Sequence, residues 1–230
     1  MLRENLYSVE KNIANICNSC NRTRDSITLI AVSKTKPLSD IEELVDIGIN
    51  EFGENKVQEL VDKYETISKP VHWHLIGHLQ TNKVKYIVDK VYLIHSVDSL
   101  KLANEIQKEA VKKNVNVNIL IEVNIANEES KFGVLKDEVI PLLENISALS
   151  KVKVKGLMTV APFVENEEDN RVHFRNLKQL SLDIISKNID NINMSILSMG
   201  MTNDYRIAIE EGATMIRVGT GIFGSRSYDV

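Results

Sequence analysis

The chain has 230 residues, 43% of them hydrophobic and 26% charged, with a formal net charge of −4. That length holds one domain with a sizeable core, and the charge gives no long-range attraction to nucleic acid or an anionic membrane, leaving only a local basic patch as a route to either. No stretch approaches the roughly 20 apolar residues of a membrane-spanning helix, and the N-terminus lacks a signal peptide's continuous apolar run. A cytoplasmic protein is expected, with neither nucleic acid nor membrane as partner.

Residues 2–20 mix charge with apolar side chains at helical spacing. Cys17 and Cys20 fall late in that pattern with no strand before them and no second ligand pair elsewhere, so reduced thiols are expected rather than a redox or zinc motif. ITLIAVSKT (27–35) reads as a buried strand. SDIEELVDIG follows it as a helix, with Ser39 as N-cap and Gly48 as stop. The unit then recurs: EFGEN (51–55) with VQELVDKYETI, HWHLIG (72–77) with LQTNKVKYIVD, and VYLIHSVD (91–98) with SLKLANEIQKEAVKK. VNVNILIEVNI (115–125) precedes KDEVIPLLENISAL, and VKVKGLMTVA (152–161) precedes EEDNRVHFRNLKQLSLDIIS. SILSMG (195–200) with NDYRIAIEEG, then TMIRVGTGIFG (214–224), close the series. The acidic run VENEEDN (164–170) reads as a solvated loop and helix start.

Strict alternation of strand and helix argues for a parallel sheet with helices outside. Eight units in a chain of this length fit a closed (β/α)8 barrel, the TIM-barrel architecture, better than an open sheet. Residues 1–230 are therefore expected to form a single domain. An additional N-terminal helix would cover the wall where an eighth helix would otherwise lie.

The C-terminal strand ends build the active site of such barrels, and three groups there can carry chemistry. Lys34 ends the first strand, and strand parity does not separate it from Lys36, which abuts Pro37 and lies further out. SMGMTND and VGTGIFG follow strands seven and eight, where this fold commonly binds phosphate. Gly200, Gly219 and Gly221 would let backbone approach an anion, with Ser198 and Thr220 adding hydroxyl donors. A strand-end lysine beside a phosphate site suggests a class I aldolase or a pyridoxal phosphate protein. Arg217, in phase with Gly219, either pairs with a carboxylate such as Glu122 or donates to a cofactor's pyridine nitrogen.

AVSKTKP, FGENKVQE, WHLIGHLQTNK, GLMTVAPF, LSMGMTND and RVGTGIFG occur in this order between about residues 26 and 224. Together they resemble the pyridoxal phosphate homeostasis protein family, which is related to the barrel domain of bacterial alanine racemases. The resemblance implies a Schiff base of pyridoxal 5′-phosphate on Lys34. It places Ser198, Gly219 and Thr220 in the phosphate cradle and Arg217 at the pyridine nitrogen. Asn55, His74 and Met158 would line the ring, although a satisfied barrel-core histidine and plain core packing explain His74 and Met158 as well.

An arginine facing the pyridine nitrogen disfavours its protonation and weakens the cofactor as an electron sink. Racemization further needs acid–base groups on both faces of the substrate carbon. The additional domain that supplies the second base in alanine racemases has no counterpart here, which also favours a monomer. The resemblance therefore implies a carrier acting in cofactor homeostasis and amino-acid balance, with apo-enzymes as recipients. A low-activity amino-acid racemase using the same cofactor is the alternative.

Overall fold

The structure, a computed structural model, describes residues 1–224; residues 225–230, included in the single-domain expectation, lie outside the described residues. Strands β1 (Thr28–Val32), β2 (Glu51–Glu54), β3 (His72–Leu75), β4 (Leu93–Val97), β5 (Val117–Glu122), β6 (Val152–Met158), β7 (Ile192–Met201) and β8 (Met215–Val218) pair in sequence order. Every pairing is parallel, and β8 returns to β1, so the barrel closes.

Strand parity divides the apolar residues into two cores. Ile30, Leu93, Leu120, Met158 and Met215 meet inside the barrel. Ala31, Phe52, Trp73, Ile94, Ile119 and Leu157 belong to the larger core shared with the helices. The helices are α1 (Leu2–Ser19), α2 (Leu38–Asp46), α3 (Val57–Thr66), α4 (Leu100–Lys113), α5 (Val139–Ile146), α6 (Arg171–Lys187), α7 (Tyr205–Glu210) and α8 (Thr220–Phe223).

Four details depart from the sequence expectations. α2 begins at Leu38 with Pro37 at its N-cap, so Ser39 lies inside the first turn and caps nothing; proline's fixed φ presets that entry. The stop at Gly48 is as expected, with a φ of 101°. The segment after β3 forms a 3₁₀ helix, Thr81–Tyr86, instead of an α-helix. Val84, Ile87 and Val88 are buried there, and the short 3₁₀ turns suffice to bury them.

An eighth helix does exist, as the single turn α8. α1 packs on it and on α7, with Val9 beside Gly221 and the Asn5 amide donating to the Ile222 carbonyl at 2.9 Å. The acidic run is also not merely solvated. Glu167 and Glu168 pair with Arg206, and Arg171 joins Glu168 to Glu210 and Glu211, which ties the loop to α7. Cys17 and Cys20 are free thiols, and Cys17 is buried in α1. No helix among the described residues is long and apolar enough to cross a membrane.

Candidate functional site

A cavity of about 900 Å³ opens at the C-terminal ends of the strands. Lys34, Asn55, Arg217, Gly219 and Thr220 all line it. Lys36 turns elsewhere: its ammonium donates to the Phe223 carbonyl at 3.3 Å and lies over the Phe223 ring. Geometry thus separates two lysines that parity alone could not.

The turn carrying Lys34 is held from both sides. Before it, the Ser33 hydroxyl donates to Glu54 Oε1 at 2.6 Å, and the Ser33 carbonyl accepts from Lys63 Nζ at 2.8 Å. After it, the Thr35 N–H donates to Glu59 Oε1 at 2.6 Å. Lys63 binds both carboxylates, Glu54 at 2.8 Å and Glu59 at 2.7 Å. Thr35 has a φ of 64°, a left-handed conformation that a β-branched residue adopts only when its surroundings impose it.

Arg217 is buried at the cavity wall. Its Nη1 donates to Ser198 Oγ at 2.6 Å and its Nη2 to the Thr159 carbonyl at 2.8 Å. Burial pulls its pKa down to about 10, against the opposing pull of the Asp204 and Glu122 charges. Among the described residues its hydrogen bonds go to Ser198 and Thr159, and Glu122 and Asp204 act on it only as longer-range charges, so the Glu122 pairing is not formed; two of its five N–H donors are used. Glu122, at the end of β5, is pushed up to about 7, first by burial and then by the Asp98 charge.

Ser198, His74, Met158 and Gly200 do not line the cavity. Ser198 is fully buried, with its hydroxyl held between Arg217 and His95 and away from the cavity lining. His74 lies inside the barrel between Glu51 and His95. Met158 packs in the inner core. Gly200 has a φ of 90°, and a Cβ there would come within 2.5 Å of the Ala208 Cβ, so its role is the close approach of α7.

Thr202, Asn203, Asp204 and Lys131 also line the cavity. Thr202, Asn203 and Asp204 lie within the LSMGMTND motif and were legible as its continuation. Lys131 comes from the loop after β5, where no periodic pattern singled it out. His78, which ends the strand-end motif IGH, and Tyr205, which follows SMGMTND, are titratable side chains that stand off this cavity. His78 stacks on Phe132 and faces Asp98 at 3.6 Å, while Tyr205 starts α7 beside Gly200.

The fold and site are those of a closed parallel barrel with a lysine and a buried arginine on one strand-end cavity. Residues 5–227 match the family model described as alanine racemase, N-terminal domain. The chain belongs to this superfamily and, within it, to the pyridoxal phosphate homeostasis protein family. It is 46% identical to the pyridoxal phosphate homeostasis protein of Aquifex aeolicus over 226 residues, 98% of each chain. The similarity to PipY of Synechococcus elongatus PCC7942, solved with PLP bound, has a TM-score of 0.81 at 32% identity over 92% of this chain and 100% of that one. An alanine racemase of Clostridium difficile 630, at 15% identity, shares the barrel alone: the TM-score is 0.78 over 99% of this chain and 57% of that one.

Proposed function

We propose that this chain, folded as one barrel domain, binds pyridoxal 5′-phosphate in the strand-end cavity as a Schiff base on Lys34. Its function on this reading is to store, buffer or deliver the cofactor without efficient catalysis. The observation that carries it is the opening of Lys34 and Arg217 onto one cavity whose wall also includes Gly219, Thr220 and Thr202. The donor set fits the group: an amine for an aldehyde, a guanidinium with donors to spare, and hydroxyl and backbone groups for a phosphate. When bound, the cofactor supplies an electrophilic aldehyde and a conjugated ring.

The chain's own residues do the rest. Glu54, Glu59 and Lys63 fix the turn that presents the Lys34 amine. Arg217 can only donate, and its charge opposes a proton on a ring nitrogen beside it, which discourages carbanion chemistry.

The test is borohydride reduction of protein loaded with pyridoxal phosphate, followed by peptide mass mapping. The label is expected on Lys34 and lost in Lys34→Ala, with the fold retained because a half-buried strand-end lysine contributes little to packing. Label on Lys36 or Lys131 would move the attachment point and overturn the assignment.

The carrier part has its own measurement. Loaded protein in deuterated water with L-alanine is expected to show slow α-proton exchange without net racemization, since each acid–base group is worth about 10²–10⁴-fold. Racemization at an ordinary enzymatic rate, abolished in Lys34→Ala, would make the chain an enzyme.

A further inference from the structure

A continuous line of polar side chains crosses the otherwise apolar interior of the barrel. From the cavity, Arg217 Nη1 lies 2.6 Å from Ser198 Oγ, which is 3.0 Å from His95 Nδ1. His95 Nε2 is 2.9 Å from His74 Nδ1, and His74 Nε2 is 2.6 Å from Glu51 Oε2. Glu51 begins β2, at the opposite mouth, where its other oxygen meets His72 Nδ1 at 2.8 Å. The side chains of Glu51 and His72 are 21% and 45% exposed, whereas those of His74, His95 and Ser198 are wholly buried.

The two ends determine every proton between them. An ionised carboxylate only accepts, so His74 carries its proton on Nε2 and, being neutral, accepts at Nδ1. His95 therefore donates from Nε2 and accepts at Nδ1. That site takes the Ser198 hydroxyl proton, which leaves Ser198 Oγ as an acceptor for Arg217. Burial disfavours an imidazolium at either ring, and the Arg217 charge adds to this at His95. The chain is a neutral relay between one buried cation and one partly exposed anion. The reverse tautomers would give Ser198 Oγ two incoming donors and leave its own proton to find another acceptor.

We propose that Glu51 is a remote positioning residue for Arg217, orienting its guanidinium through the locked tautomers of His74 and His95 and the Ser198 hydroxyl. The inference concerns the cofactor reading only through Arg217, and its primary test needs no cofactor. The test is long-range ¹H–¹⁵N correlation on the full chain labelled with ¹⁵N-histidine, near neutral pH. Both buried histidines are expected as neutral Nε2–H tautomers with a pyridine-type Nδ1.

In Glu51→Ala the carboxylate anchor is gone and only the Arg217 end holds the tautomers, so a second population is expected in which the Nδ1 signals of His74 and His95 move together toward the pyrrole-type position. Glu51→Gln, which keeps an acceptor oxygen, is expected to restore the original pair. A purely local role for Glu51 would move His74 and leave His95 unchanged. That decoupling would overturn the proposal, as would a His95 Nδ1–H tautomer or an imidazolium in the unmodified protein, a result readable even if Glu51→Ala fails to fold. Failure to bind pyridoxal phosphate would count against the cofactor reading and leave these tautomers untouched.

Discussion

Lys63→Met is expected to destabilise the fold by about 3–5 kcal/mol, the usual cost of removing one partner from a buried ion pair. Glu54 is wholly buried, and its Oε1 already takes the Ser33 hydroxyl and the Lys63 ammonium, while its Oε2 has no partner among the described residues. Burial raises the Glu54 pKa above the ordinary range even with the opposing bonds from Lys63 and Ser33. Without Lys63 the carboxyl must take up a proton or remain as an uncompensated charge. Protonation costs less in acid, so the loss should be smaller at pH 5 than at pH 8.

Chemical denaturation at both pH values measures it, and the double variant Lys63→Met with Glu54→Leu should recover most of the stability. An unchanged unfolding midpoint in Lys63→Met would show that the pair contributes nothing. The same ammonium holds the Ser33 carbonyl and the Glu59 carboxylate that anchors Thr35. The lost energy is therefore concentrated at the turn that presents Lys34.

The barrel was legible because strand ends and helix stops are written locally: β-branched runs, then polar or glycine residues, then an amphipathic stretch. The places of Lys34 and Gly219 on the cavity were legible for the same reason, since Gly219 directly follows β8 and Lys34 comes two residues after β1. The relay was not. Its links join residues as far apart as 103 positions, His95 to Ser198, and no local pattern encodes such a pairing.

A signal nevertheless existed. Glu51, His74, His95, Ser198 and Arg217 are polar residues within strands at positions that face the inner core, where an unpaired polar group is costly. Taken one at a time, His74 suggested a ring-lining residue and Ser198 a phosphate ligand. Taken together, they satisfy one another. Ser39 illustrates the converse error, in which a favourable cap residue was overridden by a proline better suited to start the helix.

Glu122→Gln is expected to stabilise the cofactor-free protein at pH 8 by about 3 kcal/mol, with the gain disappearing toward pH 4.5. Glu122 is 8% exposed, and its folded pKa is raised from 4.5 to about 7, mainly by burial and then by Asp98. Between those values the folded chain keeps a proton that the unfolded chain has released, so wild-type stability falls as pH rises through this window. A shift of that size corresponds to about 3 kcal/mol at roughly 1.36 kcal/mol per pKa unit.

Glutamine resembles the protonated acid and does not titrate, so the two proteins should match in acid, diverge between about pH 4.5 and 7, and keep a constant difference above that. Other shifted carboxyls, such as those of Glu51 and Glu54, are common to both proteins and cancel in the difference. Unfolding free energies measured at intervals from pH 4.5 to 8 give that difference directly. A constant offset across the range would mean that the folded Glu122 carboxyl titrates in the ordinary range. A difference that rises and levels near pH 7 would identify Glu122 as an acid held neutral beside Asp98, with only the Arg217 charge favouring its ionisation.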